Sequence, residues 1–291
     1  MRYEGPIYRP PSEANSLLIQ ATVGCPHNRC TFCLVYKDGI KYKVREVEDI
    51  KEDILSARDR YGLTPKTLFF PAGNSIAMKT DDLAEICSYA RTIFPSLQRI
   101  TVYGSSQYIQ RKGLQDMRKL AEAGLSRIHV GLESGDDVTL KNIKKGASAE
   151  KHIEAGKVAI EAGIELSVYV IIGIGGKERS AIHAQETARV LNEIEPHFIR
   201  LRTFVPKKGT PLLEDVLSGT FLMLTPHEAL KETALLIEGI DANSYITSDH
   251  YTNYINLEGK LPEAKKDCLG QIARSLTRDE SSFRAFFIGD Q

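Results

Sequence analysis

Ser16-Leu17-Leu18-Ile19-Gln20-Ala21-Thr22-Val23-Gly24 runs directly into Cys25-Pro26-His27-Asn28-Arg29-Cys30-Thr31-Phe32-Cys33. The first stretch is apolar and short, as a buried strand is. The second is a loop at that strand's carboxyl end, and it holds three of the chain's five cysteines. Three thiols on one loop can grip a metal centre, and three is one ligand short of a closed site.

Moving outward, short apolar runs alternate with longer amphipathic ones. Thr67–Pro71, Arg99–Tyr103, Arg127–Gly131, Leu166–Ile172 and Phe198–Phe204 read as further strands, giving six with the first. Helical patterns lie between them: Val47–Arg60, Thr80–Thr92 with Thr80 as the cap, Gln107–Ala123, Val138–Lys144, Ala149–Ala162 and Ser180–Ile194. Such alternation calls for parallel strands joined by right-handed crossovers. The expected fold is α/β: a partial (β/α)6 TIM-like barrel over 16–212, preceded by a segment over 1–15. A mainly helical carboxyl-terminal extension, 213–291, would pack on the barrel. Thr225-Pro226-His227-Glu228 is a strong helix start, with a Thr cap, Pro at the first position and Glu at the third. A last helix is expected over Pro262–Ser275, after a polar, tyrosine-bearing run from Asp241 to Leu257.

Composition narrows the class. With 291 residues the chain can bury a sizeable core, and a net charge of +0 gives no sign of a nucleic-acid partner. No apolar run reaches the roughly 20 residues that span a bilayer, and the polar, Pro-rich amino terminus lacks a signal core. A cytoplasmic protein with no membrane partner is expected. Five cysteines, an odd number with three clustered, do not suit a secreted disulfide framework. Cys87 and Cys268 sit on helical patterns and read as small core residues.

Zinc and an iron–sulfur cluster both suit several thiolates on one loop. Zinc could take His27 as a fourth ligand, but all four would then come from nine residues with no second ligand pair elsewhere. A cubane cluster held by three cysteines leaves one iron open to a substrate or cosubstrate. The other strands also end in residues suited to a site: Ala72-Gly73-Asn74-Ser75, Gly104-Ser105-Ser106, Gly131-Leu132-Glu133-Ser134-Gly135, Gly173-Ile174-Gly175-Gly176 and Arg200-Leu201-Arg202-Thr203. In a parallel barrel such ends converge on the functional face.

The cysteine loop resembles the cluster motif of the radical S-adenosylmethionine (radical SAM) enzymes. Phe32 fills the place of the aromatic residue that commonly precedes the last cysteine. Four residues separate Cys25 from Cys30, where the usual motif has three. The resemblance extends over roughly 15–212. Ala72-Gly73-Asn74 stands where the family's glycine-rich segment holds the methionyl amino group. Gly131–Gly135 looks like the fourth-strand segment of the coproporphyrinogen oxidase and Elp3-like subgroup, and Val170–Glu178 resembles the motif near the adenine.

The resemblance implies an enzyme that cleaves SAM reductively to a 5′-deoxyadenosyl radical. Cys25, Cys30 and Cys33 would ligate a [4Fe–4S] cluster, with SAM chelating the fourth iron. Around SAM would stand Phe32, Ala72, Gly73, Asn74, Ser105, Ser106, Glu133, Gly173 and Arg202. A low-potential donor such as flavodoxin or ferredoxin would supply the electron. No second cysteine cluster and no stretch long enough for a cobalamin domain before the barrel are visible. Tyr36, Lys37, His250, Tyr251 and Tyr254 are candidates for the substrate side. The substrate is expected to be a small molecule. A macromolecule such as tRNA, or a non-catalytic iron–sulfur or zinc protein, is the alternative.

Overall fold

The computed structural model describes residues 1–35 and 41–290. Tyr36 and Lys37 lie outside the described residues. The elements in order are β1 (Leu17–Leu18), β2 (Thr22–Val23), β3 (Lys43–Val44), α1 (Val47–Tyr61), β4 (Thr67–Phe70), α2 (Thr80–Ile93), β5 (Arg99–Gly104) and α3 (Ser106–Glu122). Then come β6 (Arg127–Glu133), α4 (Asp137–Asn142), α5 (Ala149–Glu161), β7 (Glu165–Ile172), α6 (Gly176–Ile194) and β8 (Phe198–Thr203). The remainder is α7 (Pro211–Leu217), α8 (Pro226–Gly239), β9 (Tyr245–Thr247), β10 (Glu258–Lys260) and α9 (Lys265–Leu276). Hydrogen-bonded strand neighbours run β1-β4-β5-β6 and β7-β8-β9-β10, with β2 paired to β3.

The chain divides into two compact units. The first comprises Met1–Asn28, Val35–Val130 and Ala155–Leu166. Its strands β1, β4, β5 and β6 are parallel, with Leu17 opposite Leu68, Leu68 opposite Ile100 and Thr101 opposite Arg127. Leu68, Phe69, Phe70, Ile100, Val102 and Ile128 are all buried. Such unbroken apolar runs are what a parallel sheet covered on both faces requires. Helix α1 buries Ile50, Asp53, Ile54 and Ala57, spaced as one helical face.

The second unit comprises Arg29–Leu34, Gly131–Glu154 and Ser167–Gln291. Here Tyr169 pairs with Arg200 and Ile199 with Ile246 in parallel, and β10 closes antiparallel on β9. Helix α8 begins with the expected capping box: Thr225 Oγ1 accepts the Glu228 N–H while the Glu228 carboxylate accepts that of Thr225.

Three local expectations are corrected. The run Ser16–Gly24 is two strands: at Gln20 the backbone carbonyl accepts from Arg45 Nη1 at 2.6 Å, and the side-chain amide exchanges hydrogen bonds of 2.7 and 2.9 Å with the Glu4 backbone. β2 then pairs antiparallel with β3. Thr80 does not cap α2; its hydroxyl donates to Asp116 at 2.7 Å and accepts from Lys112. The segment after α8 is not only helix and loop: Tyr245–Thr247 adds a parallel strand beside β8, too short to show a period in sequence.

Candidate active site at the strand ends

In the first unit, Cys25 follows β2, and the residues after β4 and β5 meet. Ala72 is buried with φ +93°, a conformation that L-residues rarely hold without surrounding constraint. Gly73 N–H donates to the Gly24 carbonyl at 3.2 Å, which ties this turn to the residue before Cys25. Asn74 is 1% exposed, and its Nδ2 donates to Ser105 Oγ at 2.9 Å. Its Oδ1 is buried with no hydrogen-bond partner among the described residues. A buried acceptor left unpaired is costly, and a cationic donor such as an ammonium would satisfy it. Ser105 precedes α3 without capping it, and Ser106 is buried in the helix's first turn.

In the second unit, Cys30 and Cys33 share a turn, with Cys33 N–H directed at the Cys30 carbonyl at 3.4 Å. The loop is pinned on both sides. Thr31 N–H donates to Ile143 O at 3.0 Å, and Thr31 O accepts from Leu212 N–H at 3.1 Å. Phe32 packs against a buried cluster of Ile143, Ile174, Phe204 and Leu212. Its ring therefore anchors the loop, a firmer role than contact with a cofactor alone.

Glu133 ends β6 with φ +67° and is 8% exposed. Its Oε1 pairs with Lys145 Nζ at 2.8 Å, so it is neither a solvated acid nor a helix cap. Its other oxygen retains acceptor capacity. A Cβ on Gly131 would fall 2.0 Å from Glu133 Oε1 and 2.8 Å from Lys145 Nζ, so a side chain there would displace this ion pair. Burial works against the charge of Lys145, but Glu133, Cys30 and Cys33 outweigh it and raise its pKa. The lysine thus brings a cation to the two cysteines of this unit.

Behind these turns lies a buried polar frame. Asp136 caps α4 and takes a two-pronged salt bridge from Arg179 at 2.6 and 2.8 Å. Burial would raise the Asp136 carboxyl, but Arg179 and Thr139 pull it well below the usual carboxylate range. Ser134 Oγ lies 2.8 Å from His183 Nδ1. Glu232 on α8 accepts the Gly173 N–H at 2.6 Å, with Gly173 at φ +82°. Burial pushes Glu232 up to about 7 and His183 down to about 4.

Of the paired arginines on β8, Arg200 is buried and donates to Ser167 Oγ at 3.0 Å. Arg202 is less buried than Arg200 and lies 4.9 Å over the Tyr169 ring, so its guanidinium is the more accessible of the two to an anion. Asn253 clamps the following loop by donating to Leu201 O and Ser248 O and accepting from Thr203 Oγ1. His250 Nδ1 accepts from the Thr252 N–H and lies 2.8 Å from Thr252 Oγ1. Burial, then Arg202 and Lys207, lower His250 to about 4, so its ring is neutral and offers Nε2–H. Tyr251 is 63% exposed beside that ring. Tyr254 instead lies under the Arg284 guanidinium and against Phe283, turned to the tail rather than left open.

Sequence reading did not single out Lys145, Glu232, His183, Asp136 or Arg179. One signal was available: Glu232 shares a helical face with Ala229, Thr233 and Leu236, and a carboxylate among buried apolar positions needs a partner. Cys87 and Cys268 are buried, as core residues are, and burial pushes the Cys87 thiol up to about 12.

A model of the Radical SAM superfamily matches residues 19–185, more than half of the chain. An uncharacterized protein of Methanocaldococcus jannaschii is 23% identical over 262 residues, which is 84% of this chain and 75% of that one. The cytidylyl-2-hydroxyethylphosphonate methyltransferase of Streptomyces wedmorensis is 27% identical over 158 residues, 52% of this chain and 27% of the methyltransferase. The chain therefore spans only about a quarter of that enzyme's length. Among solved structures, the coproporphyrinogen III oxidase of Escherichia coli is similar with a TM-score of 0.56 at 14% identity, covering 92% of this chain and 60% of the oxidase.

The chain belongs to the radical SAM superfamily. It is an enzyme with the α/β partial-barrel fold, and its cofactors are a [4Fe–4S] cluster and SAM. Its donor set fits them: three thiols, one short of closing a cubane, and an orphaned buried acceptor at Asn74 suited to an ammonium. Among the described residues no three His, Cys, Asp or Glu side chains form a ready metal-holding group, so the ligand assignment rests on donor chemistry and family. No helix among the described residues is long and apolar enough to cross a membrane.

Proposed function

We propose that this enzyme cleaves SAM reductively and directs the resulting radical at a small-molecule substrate. The observation supporting this most is the three-cysteine loop within a chain that matches the superfamily from 19 to 185. In this reading Cys25, Cys30 and Cys33 ligate the cluster. When bound, cluster and SAM together supply the electron transfer that releases a hydrogen-abstracting 5′-deoxyadenosyl radical.

The chain's own residues orient and shield. Asn74 Oδ1 accepts from the methionyl ammonium, supported by its lack of any other partner. Gly73 offers backbone to the same end, with Ala72, Ser105 and Ser106 lining the turns around it. The free oxygen of Glu133 takes a ribose hydroxyl while Lys145 balances its charge. Gly173 admits the adenine, and Arg202 meets a carboxylate. His250 and Tyr251, with Tyr254 behind them, face the substrate, and Lys37 and Tyr36 remain candidates. The N-terminal segment 1–15, barrel 16–212 and extension 213–291 are retained as the working division. A flavodoxin- or ferredoxin-type donor in the cytoplasm would serve the cluster. Balanced charge favours a small substrate over nucleic acid.

The test is anaerobic. The protein, reconstituted with iron and sulfide and given dithionite and SAM, should yield 5′-deoxyadenosine and methionine. A filled cluster with neither product, across a panel of candidate substrates, would count against the reading.

Asn74→Ala should weaken binding of S-adenosylhomocysteine, which keeps the ammonium, about tenfold, the loss of roughly one hydrogen bond to a charged donor. Iron content should stay that of the wild type. Calorimetric titration would show this, and unchanged affinity would remove Asn74 from the amino-group site.

A further inference from the structure

Two turns of the second unit, those after β6 and β7, are held from behind by side chains of α6 and α8. Glu232 is 2% exposed and divides its two oxygens between partners. Oε1 accepts the Gly173 N–H at 2.6 Å and Oε2 accepts the Ser180 hydroxyl at 2.5 Å. His183 Nε2 lies 3.4 Å from Oε1, too poorly aligned for a hydrogen bond but close enough for electrostatic attraction, with both side chains wholly buried. On its other side His183 meets Ser134 Oγ, which accepts the Asp136 N–H at 3.0 Å. The hydroxyl proton of Ser134 is thus free to point at His183 Nδ1, which leaves the proton of the neutral ring on Nε2, facing the carboxylate.

The peptide unit between Ile172 and Gly173 is fixed at both ends. Its N–H goes to Glu232, and its carbonyl accepts the Phe204 N–H at 2.8 Å. The chain therefore leaves β7 at a set angle into Gly173, whose φ of +82° places the next peptide. A buried carboxylate is a costly way to satisfy one amide and one hydroxyl, since burial penalises its charge and a neutral acceptor would serve. Its retention at this turn points to a demand on the geometry of the turn.

We propose that Glu232, keyed to His183, is a positioning residue for the adenosyl half of SAM, holding the Gly173–Gly176 turn in its binding shape. This deepens the SAM reading above and rests on it. It assigns to a helix of the carboxyl-terminal part a role in cofactor binding that no motif of the chain carries.

The test compares Glu232→Leu, Glu232→Gln and Glu232→Asp in the reconstituted full chain. Gln keeps an acceptor for the Gly173 N–H. Asp is one methylene too short to reach it, yet keeps the charge should the leucine variant not fold. Dissociation constants are measured by calorimetry for S-adenosylhomocysteine and for 5′-methylthioadenosine, which shares the adenosyl group but lacks the amino acid. Leu and Asp are expected to weaken both ligands at least tenfold and by the same factor. Gln should restore both to within about threefold, and iron content should be the same in all. Amide exchange at Gly173 should be fast in Leu and Asp and slow in wild type and Gln. Folded Leu or Asp variants that bind both nucleosides like wild type would overturn the inference. So would a Gln variant as weak as Leu. A wild type that binds neither nucleoside would instead bring down the SAM reading on which it rests.

Discussion

Cys30→Ala is expected to abolish both the cluster and SAM cleavage while leaving the chain folded. The loop is held by backbone and by Phe32: Thr31 is hydrogen-bonded to Ile143 and Leu212, and Phe32 sits in the buried cluster. Truncating the Cys30 side chain touches none of those contacts, so the thermal midpoint should move by no more than a few degrees. The cluster has no such redundancy. Three protein thiolates are already one fewer than a closed cubane uses, and two do not retain it. Iron and sulfide analysis should fall from about four per chain to background, and 5′-deoxyadenosine should disappear with them. Full cleavage in a folded Cys30→Ala protein would remove Cys30 from the ligand set. Lys145→Met is the milder companion: it removes the counter-charge of the buried Glu133 and should lower the thermal midpoint while leaving the three cysteines in place.

Glu13→Gln should be the most destabilising single change in the first unit. Glu13 is wholly buried. Its carboxylate accepts from Ser16 Oγ at 2.5 Å, lies 3.2 Å from the Arg99 guanidinium and 3.3 Å from His129 Nε2. Burial alone would raise its pKa, but the hydrogen bonds of His129 and Ser16 and the charge of Arg99 prevail and hold it at about 2. A carboxyl lowered from 4.5 to about 2 on folding contributes on the order of 3 kcal/mol. Because the folded value is the lower one, that contribution is complete above about pH 4.5 and fades as pH falls towards 2. Gln leaves Arg99 without its counter-charge, so a loss of about 3–5 kcal/mol is expected at neutral pH. Urea unfolding from pH 7 down to 2.5 should show wild-type stability declining through the acid limb. The variant should start lower and decline less over the same interval. Parallel curves would show that Glu13 does not govern the acid limb.

The parts of the site legible in sequence were those written in one contiguous stretch. The cysteine loop needs only spacing and residue type. The Gly- and Ser-rich strand ends follow from apolar runs that stop where the turn begins. The capping box at Thr225 is likewise local, and it is formed as expected. What sequence did not show was pairing across distance. Glu133 alone suggests a free acid, and only the fold brings Lys145 onto it. Arg200 and Arg202 are indistinguishable as letters, since both lie on one face of β8. Ser167 takes the first, which is buried, and the Tyr169 ring carries the second, which is only partly buried. His129 and His183 fit ordinary strand and helix positions in sequence, yet one joins the Glu13 network and the other faces Glu232.

The same division holds for the fold. Periods of 2 and 3.6 residues are local, so the order of strands and helices, the parallel sheet and the family's cysteine motif all stood in the sequence by itself. The break at Gln20 and the strand Tyr245–Thr247 did not. Each depends on which groups another segment offers: the Arg45 guanidinium for the Gln20 carbonyl, the edge of β8 for Tyr245–Thr247. Hydrogen-bond partners and buried counter-charges are properties of pairs, and the chain specifies them only by folding. The tertiary structure therefore decided which acid is balanced, which arginine is buried and which carboxylate holds the Gly173 turn.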